Sequence, residues 1–108
     1  MDTNTLAAQG LNLIYNTTYI SSSTTLTGDI ICAVVTATND LTITLPPASA
    51  VPNRIIKVVI ASGTGDVTIA GEGLSSVTIT GSGIYAVVWS DGNNYTVMAS
   101  NMPQQQGD

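Results

Sequence analysis

The residue types that carry most enzyme chemistry are scarce in this sequence. The chain has no histidine, the commonest general base and metal ligand, which excludes a Ser-His-Asp triad and an ordinary zinc site. Cys32 is the only cysteine, so an intrachain disulfide is excluded as well. Because Cys32 lies in an apolar run without a basic neighbour in sequence, we expect a buried, unreactive thiol. The sequence predicts no enzymatic activity and no cofactor.

Three acidic residues could in principle hydrolyse glycosides as a carboxylate pair, or bind a cation. Asp66, Glu72 and Asp91 each lie near glycine in predicted turns, where acids commonly stabilise the turn itself. Neither Asp66 nor the segment 91–93 offers the spaced oxygen ligands of a calcium loop. The glycine-rich segment 62–66 is followed by no Lys-Ser/Thr pair and no helix, which disfavours phosphate binding. We interpret these segments as turns.

Aromatic side chains are concentrated in the last predicted hairpin. Tyr85, Trp89 and Tyr95 could stack on sugars, as they would in a fibre that binds glycans. Packing in the core or between subunits is the interpretation we prefer for them.

The elements that must position these residues are short strands. The 26 Thr and Ser residues and the low charge favour strands with a hydroxyl-rich surface. Turn signals every 8–12 residues are typical of an antiparallel β-sandwich or jelly-roll-like barrel of about eight strands. We predict an N-terminal arm (1–11), a β-sandwich domain (12–100) and a flexible polar tail (101–108). The predicted strands span residues 12–20, 29–36, 41–45, 54–61, 67–70, 77–80, 84–90 and 94–100.

A proline-containing corner connects a polar-faced strand to an apolar one. Pro46 and Pro47 end the strand 41–45, because proline has no N–H to donate to a neighbouring strand. Pro52 and Asn53 suit the centre of a type II turn, in which the second central residue has a positive φ.

Three predicted strands, 29–36, 54–61 and 84–90, carry apolar side chains on both faces. An antiparallel sandwich needs only one apolar face per strand, so either a loop or another subunit must cover the second face. We favour another subunit, and hence a closed, obligate homo-oligomer. The candidate interface residues are Ile55, Val59, Tyr85, Val87 and Trp89.

Composition excludes several kinds of partner. The net charge is −5, with Arg54 and Lys57 as the only basic residues, so binding to nucleic acid is not expected. No basic residue precedes Arg54, which removes the n-region of a signal peptide and predicts synthesis in a cytoplasm. The longest apolar run, residues 30–35, is too short to span a membrane.

A series of short motifs runs from Ile43 to the last predicted strand. They are Thr44-Leu45-Pro46, Ala48-Ser49-Ala50-Val51-Pro52, residues 54–60, Val67-Thr68-Ile69, Tyr85-Ala86-Val87-Val88 and Ser90-Asp91-Gly92-Asn93-Asn94-Tyr95. In this order they resemble a module common in tailed-phage virion proteins, although Asn53 stands where that module usually has glycine, and Tyr95 where tryptophan is frequent. The module occurs in head fibres, tail fibres and small capsid decoration proteins, generally as β-rich homotrimers, and its pattern contains no catalytic residue.

The resemblance implies a capsid decoration (cement) protein, a homotrimer on the outer capsid surface that bridges subunits of the major capsid protein. It would be made in the host cytoplasm and located in the virion. A chain of 108 residues beginning at Met1 and lacking a shaft favours a compact knob. The alternative is a trimeric tip or adaptor of a head or tail fibre that binds host glycans. In the decoration hypothesis, the arm would contact the capsid through Thr3, Leu6, Ala7 and Leu11.

Overall fold

The fold consists of two stacked β-sheets, in a computed structural model that describes residues 16–75 and 77–101. The predicted all-β character is confirmed, whereas the predicted arm (1–11) and residues 102–108 of the predicted tail lie outside the described residues. The strands are β1 (Asn16–Ile20), β2 (Thr24–Thr25), β3 (Ile30–Ala37), β4 (Leu41–Thr44), β5 (Ile55–Gly63), β6 (Asp66–Ala70), β7 (Val77–Thr80), β8 (Tyr85–Ser90) and β9 (Tyr95–Ser100).

The first six strands wind as a flattened coil that alternates between the two sheets. The five-stranded sheet has the order β1-β3-β5-β8-β9, and the four-stranded sheet has the order β2-β4-β6-β7. Each strand from β3 to β6 therefore lies parallel to the strand two places earlier in the chain. Parallel neighbours need a crossover connection, and here a strand of the opposite sheet supplies it.

The predicted antiparallel pairing is wrong for most of the fold. Four of the seven strand pairs within residues 16–75 and 77–101 are parallel. Only β5–β8, β6–β7 and β8–β9 are antiparallel, and these strands do not form the antiparallel Greek keys of a jelly roll. The turns at 38–40 and 64–65 resemble hairpin turns in composition, but each carries the chain across the core to the other sheet.

Two turns of adjacent coils lie in close contact, which explains the glycines between β5 and β6. Gly65 donates its backbone N–H to the carbonyl of Ala37 at 2.7 Å. A Cβ atom on Gly63 or Gly65 would overlap the backbone of the preceding turn, and Gly63 has a φ of 103°. The glycine-rich segment therefore serves chain packing.

The core lies between the sheets and is built from one face of each strand. β4 shows the predicted alternation, with Leu41 and Ile43 buried and Thr42 and Thr44 exposed. Branched aliphatic residues fit the pleated surface of a half-buried strand. The fully buried aliphatic side chains are Val35, Ile43, Val51, Ile56, Val58, Ile60, Val67, Ile69, Ile79 and Val88.

The turn predicted at Pro52 and Asn53 is confirmed. Arg54 donates its N–H to the carbonyl of Val51 at 3.1 Å, which closes a four-residue turn around Pro52 and Asn53. Asn53 has a φ of 62° and is the single non-glycine residue with positive φ in the described part of the chain. Asparagine tolerates this conformation better than most residues do.

The last hairpin holds the proline segment in place. After Pro46 and Pro47, residues Ala48–Ala50 form a short 3-10 helix. The Tyr95 hydroxyl donates to the carbonyl of Pro46 at 2.8 Å, and the Ser90 hydroxyl donates to the first carbonyl of this helix at 2.9 Å. Both side chains are buried, so these hydrogen bonds fix the corner against the five-stranded sheet.

The three strands with apolar residues on both faces are neighbours. They correspond to β3, β5 and β8, which lie side by side in the centre of the five-stranded sheet. Their inner faces fill the core, and their outer faces together form a single surface.

Candidate interaction surface

The outer face of the five-stranded sheet, which is turned away from the four-stranded sheet, brings all five predicted interface residues together. Ile55 and Val59 lie on β5, and Tyr85, Val87 and Trp89 lie on β8. The register places Ile55 opposite Trp89 and Val59 opposite Tyr85. Because side chains two residues apart on a strand share a face, the five side chains lie on one surface, on which Lys57 lies between Ile55 and Val59 and opposite Val87.

These side chains shield one another, but no strand among residues 16–75 and 77–101 forms a second layer over them. Ile55 is 49% exposed, and the other four are half-buried. Every described strand belongs to one of the two sheets, so none of them covers this face. Single exposed apolar residues are ordinary, whereas a contiguous apolar patch marks an interaction site.

The outer face extends beyond the five candidate residues, onto β3, as the two apolar faces of segment 29–36 predicted, and also onto β1. Val34 lies between Tyr19 on β1 and Val59 on β5 in the strand register, and Tyr19 is 79% exposed. Sequence alternation indicates the face on which a side chain lies, but it does not identify the neighbouring strand. Tyr19 and Val34 were therefore missed.

Cys32 also lies on the outer face, and the prediction of a buried thiol is wrong in degree because the side chain is half-buried. Its neighbour on β5 is Lys57, which sequence proximity could not reveal. The Lys57 ammonium group lies 5.1 Å from the centroid of the Tyr85 ring, a cation–π arrangement. The aliphatic part of such a side chain covers apolar surface while its charge stays near solvent.

The outer face of the four-stranded sheet is of a different character, since threonine covers it. β4 exposes Thr42 and Thr44, and β7 exposes Thr78 and Thr80. The hydroxyl oxygens of Thr68 and Thr78 are 3.3 Å apart across the β6–β7 pair. This neutral polar face interacts well with water, so the two outer faces of the molecule differ sharply in polarity.

The three candidate carboxylates all make hydrogen bonds that stabilise turns or connections. Asp91 Oδ1 accepts two backbone N–H groups of its own turn at 2.8 Å each, and these bonds lower the pKa of the carboxyl group. Glu72 Oε1 accepts the N–H of Ala48 at 2.6 Å, and Asp66 Oδ1 accepts the hydroxyl of Thr80 at 2.7 Å. Within residues 16–75 and 77–101, no group of three acidic, cysteine or histidine residues is placed to hold a metal ion.

Tyr95 belongs to the core and is 2% exposed. Burial, followed by the negative charge of Glu72, raises the pKa of its hydroxyl group. Of the three aromatic residues in the last hairpin, only Tyr85 and Trp89 reach the surface, and both lie on the outer face. The proposed arm contacts Thr3, Leu6, Ala7 and Leu11 lie outside the described residues.

Comparison with known proteins gives no relative: no family model matches the chain, and neither a curated protein nor a solved structure is significantly similar to it. No helix in the described part of the chain is long and apolar enough to cross a membrane. The function of the protein is therefore inferred from its two outer faces and from the sequence motifs.

Proposed function

We propose that this protein is a homotrimeric structural protein of a tailed-phage virion, namely a capsid decoration (cement) protein. The observation that carries the proposal is the contiguous apolar outer face of the five-stranded sheet, centred on Ile55, Val59, Tyr85, Val87 and Trp89. A second copy of the chain is the partner that this face fits best.

The physical reason is the cost of leaving this surface in water. Burial of apolar surface contributes about 25 cal/mol per Å², and stable interfaces bury about 800 Å² on each partner. Only 8% of the residues are charged, so the chain has few charges with which to keep an apolar sheet face soluble. Packing the outer faces of several copies together would leave the threonine face towards solvent.

The sequence motifs are the reason for proposing a virion protein and a trimer. The segments Thr44-Leu45-Pro46 and Tyr85-Ala86-Val87-Val88 belong to the pattern that resembles the phage module. Both motifs have structural roles. The carbonyl of Pro46 accepts a hydrogen bond from the Tyr95 hydroxyl, and β8 buries alternate side chains in the core while the others lie on the outer face. A structural protein is consistent with such roles.

The proposed mechanism is mechanical. Each trimer would contact several subunits of the major capsid protein on the outer surface of the shell. Because a trimer in this position binds the assembled shell and not the separated subunits, binding shifts the equilibrium towards the shell. The protein thereby raises the temperature at which the capsid falls apart.

The second candidate is a trimeric tip of a head or tail fibre that binds host glycans. The half-exposed rings of Tyr85 and Trp89 favour it, since aromatic surfaces stack on sugars. The two candidates make opposite demands on Trp89, which is buried between copies in the first and open to a ligand in the second.

The test is the number of copies per particle, measured on a stained gel of purified virions against the major capsid protein. Decoration predicts hundreds of copies, together with particles that lose resistance to heat and salt when the protein is absent. A few copies per virion, combined with altered host range in a Trp89→Ala variant, would establish the fibre tip and reject decoration.

A further inference from the structure

One end of the molecule carries an unfilled strand position. The chain passes through residues 81–84 from β7, the last strand of the four-stranded sheet, to β8 of the five-stranded sheet. β9 continues the five-stranded sheet one strand further. The four-stranded sheet ends at β7, and no described strand lies beneath β9.

Beyond the buried Tyr95, the inner side of β9 is exposed. Val97 is the partner of the buried Val88, yet it is 38% exposed. A hollow of about 310 Å³ opens between β9 and β7, with Leu74, Val77, Tyr95 and Val97 supplying its apolar lining. Leu74 and Val77 are only partly buried although they pack against the core. This hollow has the position that a fifth strand of the smaller sheet would occupy.

The edge of β7 is open to pairing. β7 has one neighbouring strand, β6, within the described residues, and its sequence Val77-Thr78-Ile79-Thr80 contains no charge and no proline. Proteins usually protect an exposed edge with such residues or with a bulge. An extended segment added to β7 would form backbone hydrogen bonds there and place alternate side chains against Leu74 and Val97.

We propose that residues 11–15 of a neighbouring copy fill this position as an added strand. Leu11, Leu13 and Tyr15 alternate in sequence with Asn12 and Ile14, which gives the apolar side that the hollow requires. The segment contains no charged residue and no proline. The proposal rests on the homo-oligomer of the proposed function, and it names the residues that one copy contributes to another.

The geometry excludes the same segment of the same chain. Tyr15 is bonded to Asn16, the first residue of β1, and β1 is the opposite edge of the five-stranded sheet. Four strand spacings of about 4.8 Å place β9 roughly 19 Å away, whereas consecutive Cα atoms are about 3.8 Å apart. The contact therefore joins the first edge of one copy to the last edge of the next, a head-to-tail interface that can close into a ring.

A cysteine cross-link tests the proposal in the full chain. In a Cys32→Ser background, Leu13→Cys combined with Val97→Cys should form interchain disulfides under mild oxidation, because the added strand would place residue 13 of one copy opposite residue 97 of the next. A non-reducing gel should show covalent species of two and three chains. The matched control carries Asn12→Cys in place of Leu13→Cys. In an extended strand residue 12 would face away from the hollow, so the control should give at least tenfold less cross-link.

Equal cross-linking by both pairs, no cross-link, or an intrachain link that leaves a monomer would each overturn the proposal. Light scattering on the unoxidised protein tests the homotrimer separately from the added strand. A trimer without the cross-link rejects the added strand alone, whereas a monomer rejects the homotrimer as well.

Hydrogen exchange provides a second measurement without new cysteines. Amides of β7 should exchange at least tenfold faster in a Leu13→Asp variant of the full chain than in the Asn12→Asp control, because the charge removes the added strand. Identical exchange in β7 for both variants would contradict the proposal.

Discussion

At the scale of single residues, two polar residues shape the backbone around the proline segment. Ser90 is a clear case, because its buried hydroxyl donates to the carbonyl of Ala48 and accepts the N–H of Gly92 at 3.2 Å. Asn53 is another, since its positive φ allows the chain to leave the proline segment and enter β5. Both residues therefore shape the corner.

At this scale, we predict how Asn53 affects the free energy of unfolding. Replacement by alanine should lower the free energy of unfolding by about 1 kcal/mol, because a Cβ atom without a compensating polar group disfavours the left-handed conformation. Replacement by glycine should change it by less than about 0.5 kcal/mol. Urea unfolding measures both, with Asn39→Ala as a control at an exposed asparagine without positive φ. Equal losses in the alanine and glycine variants would contradict the conformational explanation.

At the scale of elements, one carboxylate adds to the backbone pairing that attaches β1 to β3. Asp29 Oδ1 accepts the hydroxyl of Thr27, and Asp29 Oδ2 accepts the side-chain amide of Asn16 at 2.7 Å. These hydrogen bonds, with Thr27 first, lower the pKa of Asp29. They join the start of β1 to the turn that precedes β3.

The corresponding prediction is a pH dependence. Because the pKa of Asp29 is lower in the folded protein than in the unfolded chain, its contribution to stability is present above the unfolded value of about 3.9 and is lost as the pH falls through the folded value. Thermal melting between about pH 7 and pH 2 should therefore show a flatter acid dependence for Asp29→Asn than for the wild type. Asn16→Ala, which removes one donor, should lie between them. Superimposable pH profiles for all three proteins would show that this carboxylate does not stabilise β1.

At the scale of the whole molecule, the two sheets present opposite surfaces. The threonine face carries hydroxyl groups at Thr42, Thr44, Thr78 and Thr80, whereas the outer face of the larger sheet carries aliphatic and aromatic groups. Such asymmetry is expected when one face packs against another copy and the other faces water.

The prediction at this scale concerns oligomeric mass. Val59→Asp should dissociate the oligomer, because a carboxylate between Val34 and Tyr85 loses its hydration without a charged partner across the strands. Val87→Asp should dissociate it less completely, because Lys57 lies opposite residue 87 and can pair with the carboxylate. Light scattering should show a mass near three times the 11.1 kDa chain for the wild type and a lower mass for the variants. Thr42→Asp, an equivalent exposed strand position on the threonine face, should leave the trimer intact. A wild-type monomer, or unchanged mass in both valine variants, would refute the interface.

Local features of the sequence predicted local features of the structure. The strand segments, the turn at Pro52 and Asn53, and the alternation of Leu41, Thr42, Ile43 and Thr44 all depend on a few consecutive residues. The sharing of one face by Ile55, Val59, Tyr85, Val87 and Trp89 follows from the period of two, together with the adjacency of β5 and β8. The sequence by itself therefore determined the elements except the two-residue β2, the polarity of their faces and the shortage of groups for catalysis.

Only the tertiary structure decided which strands are neighbours. Strand partners depend on contacts between distant residues, and a turn has the same composition whether it continues the same sheet or crosses to the other. For that reason the parallel coil, the positions of Tyr19 and Val34 on the outer face, and the uncovered side of β9 could not be predicted from the sequence. The same reason explains Cys32 and Lys57, which are distant in sequence and become neighbours when β3 pairs with β5.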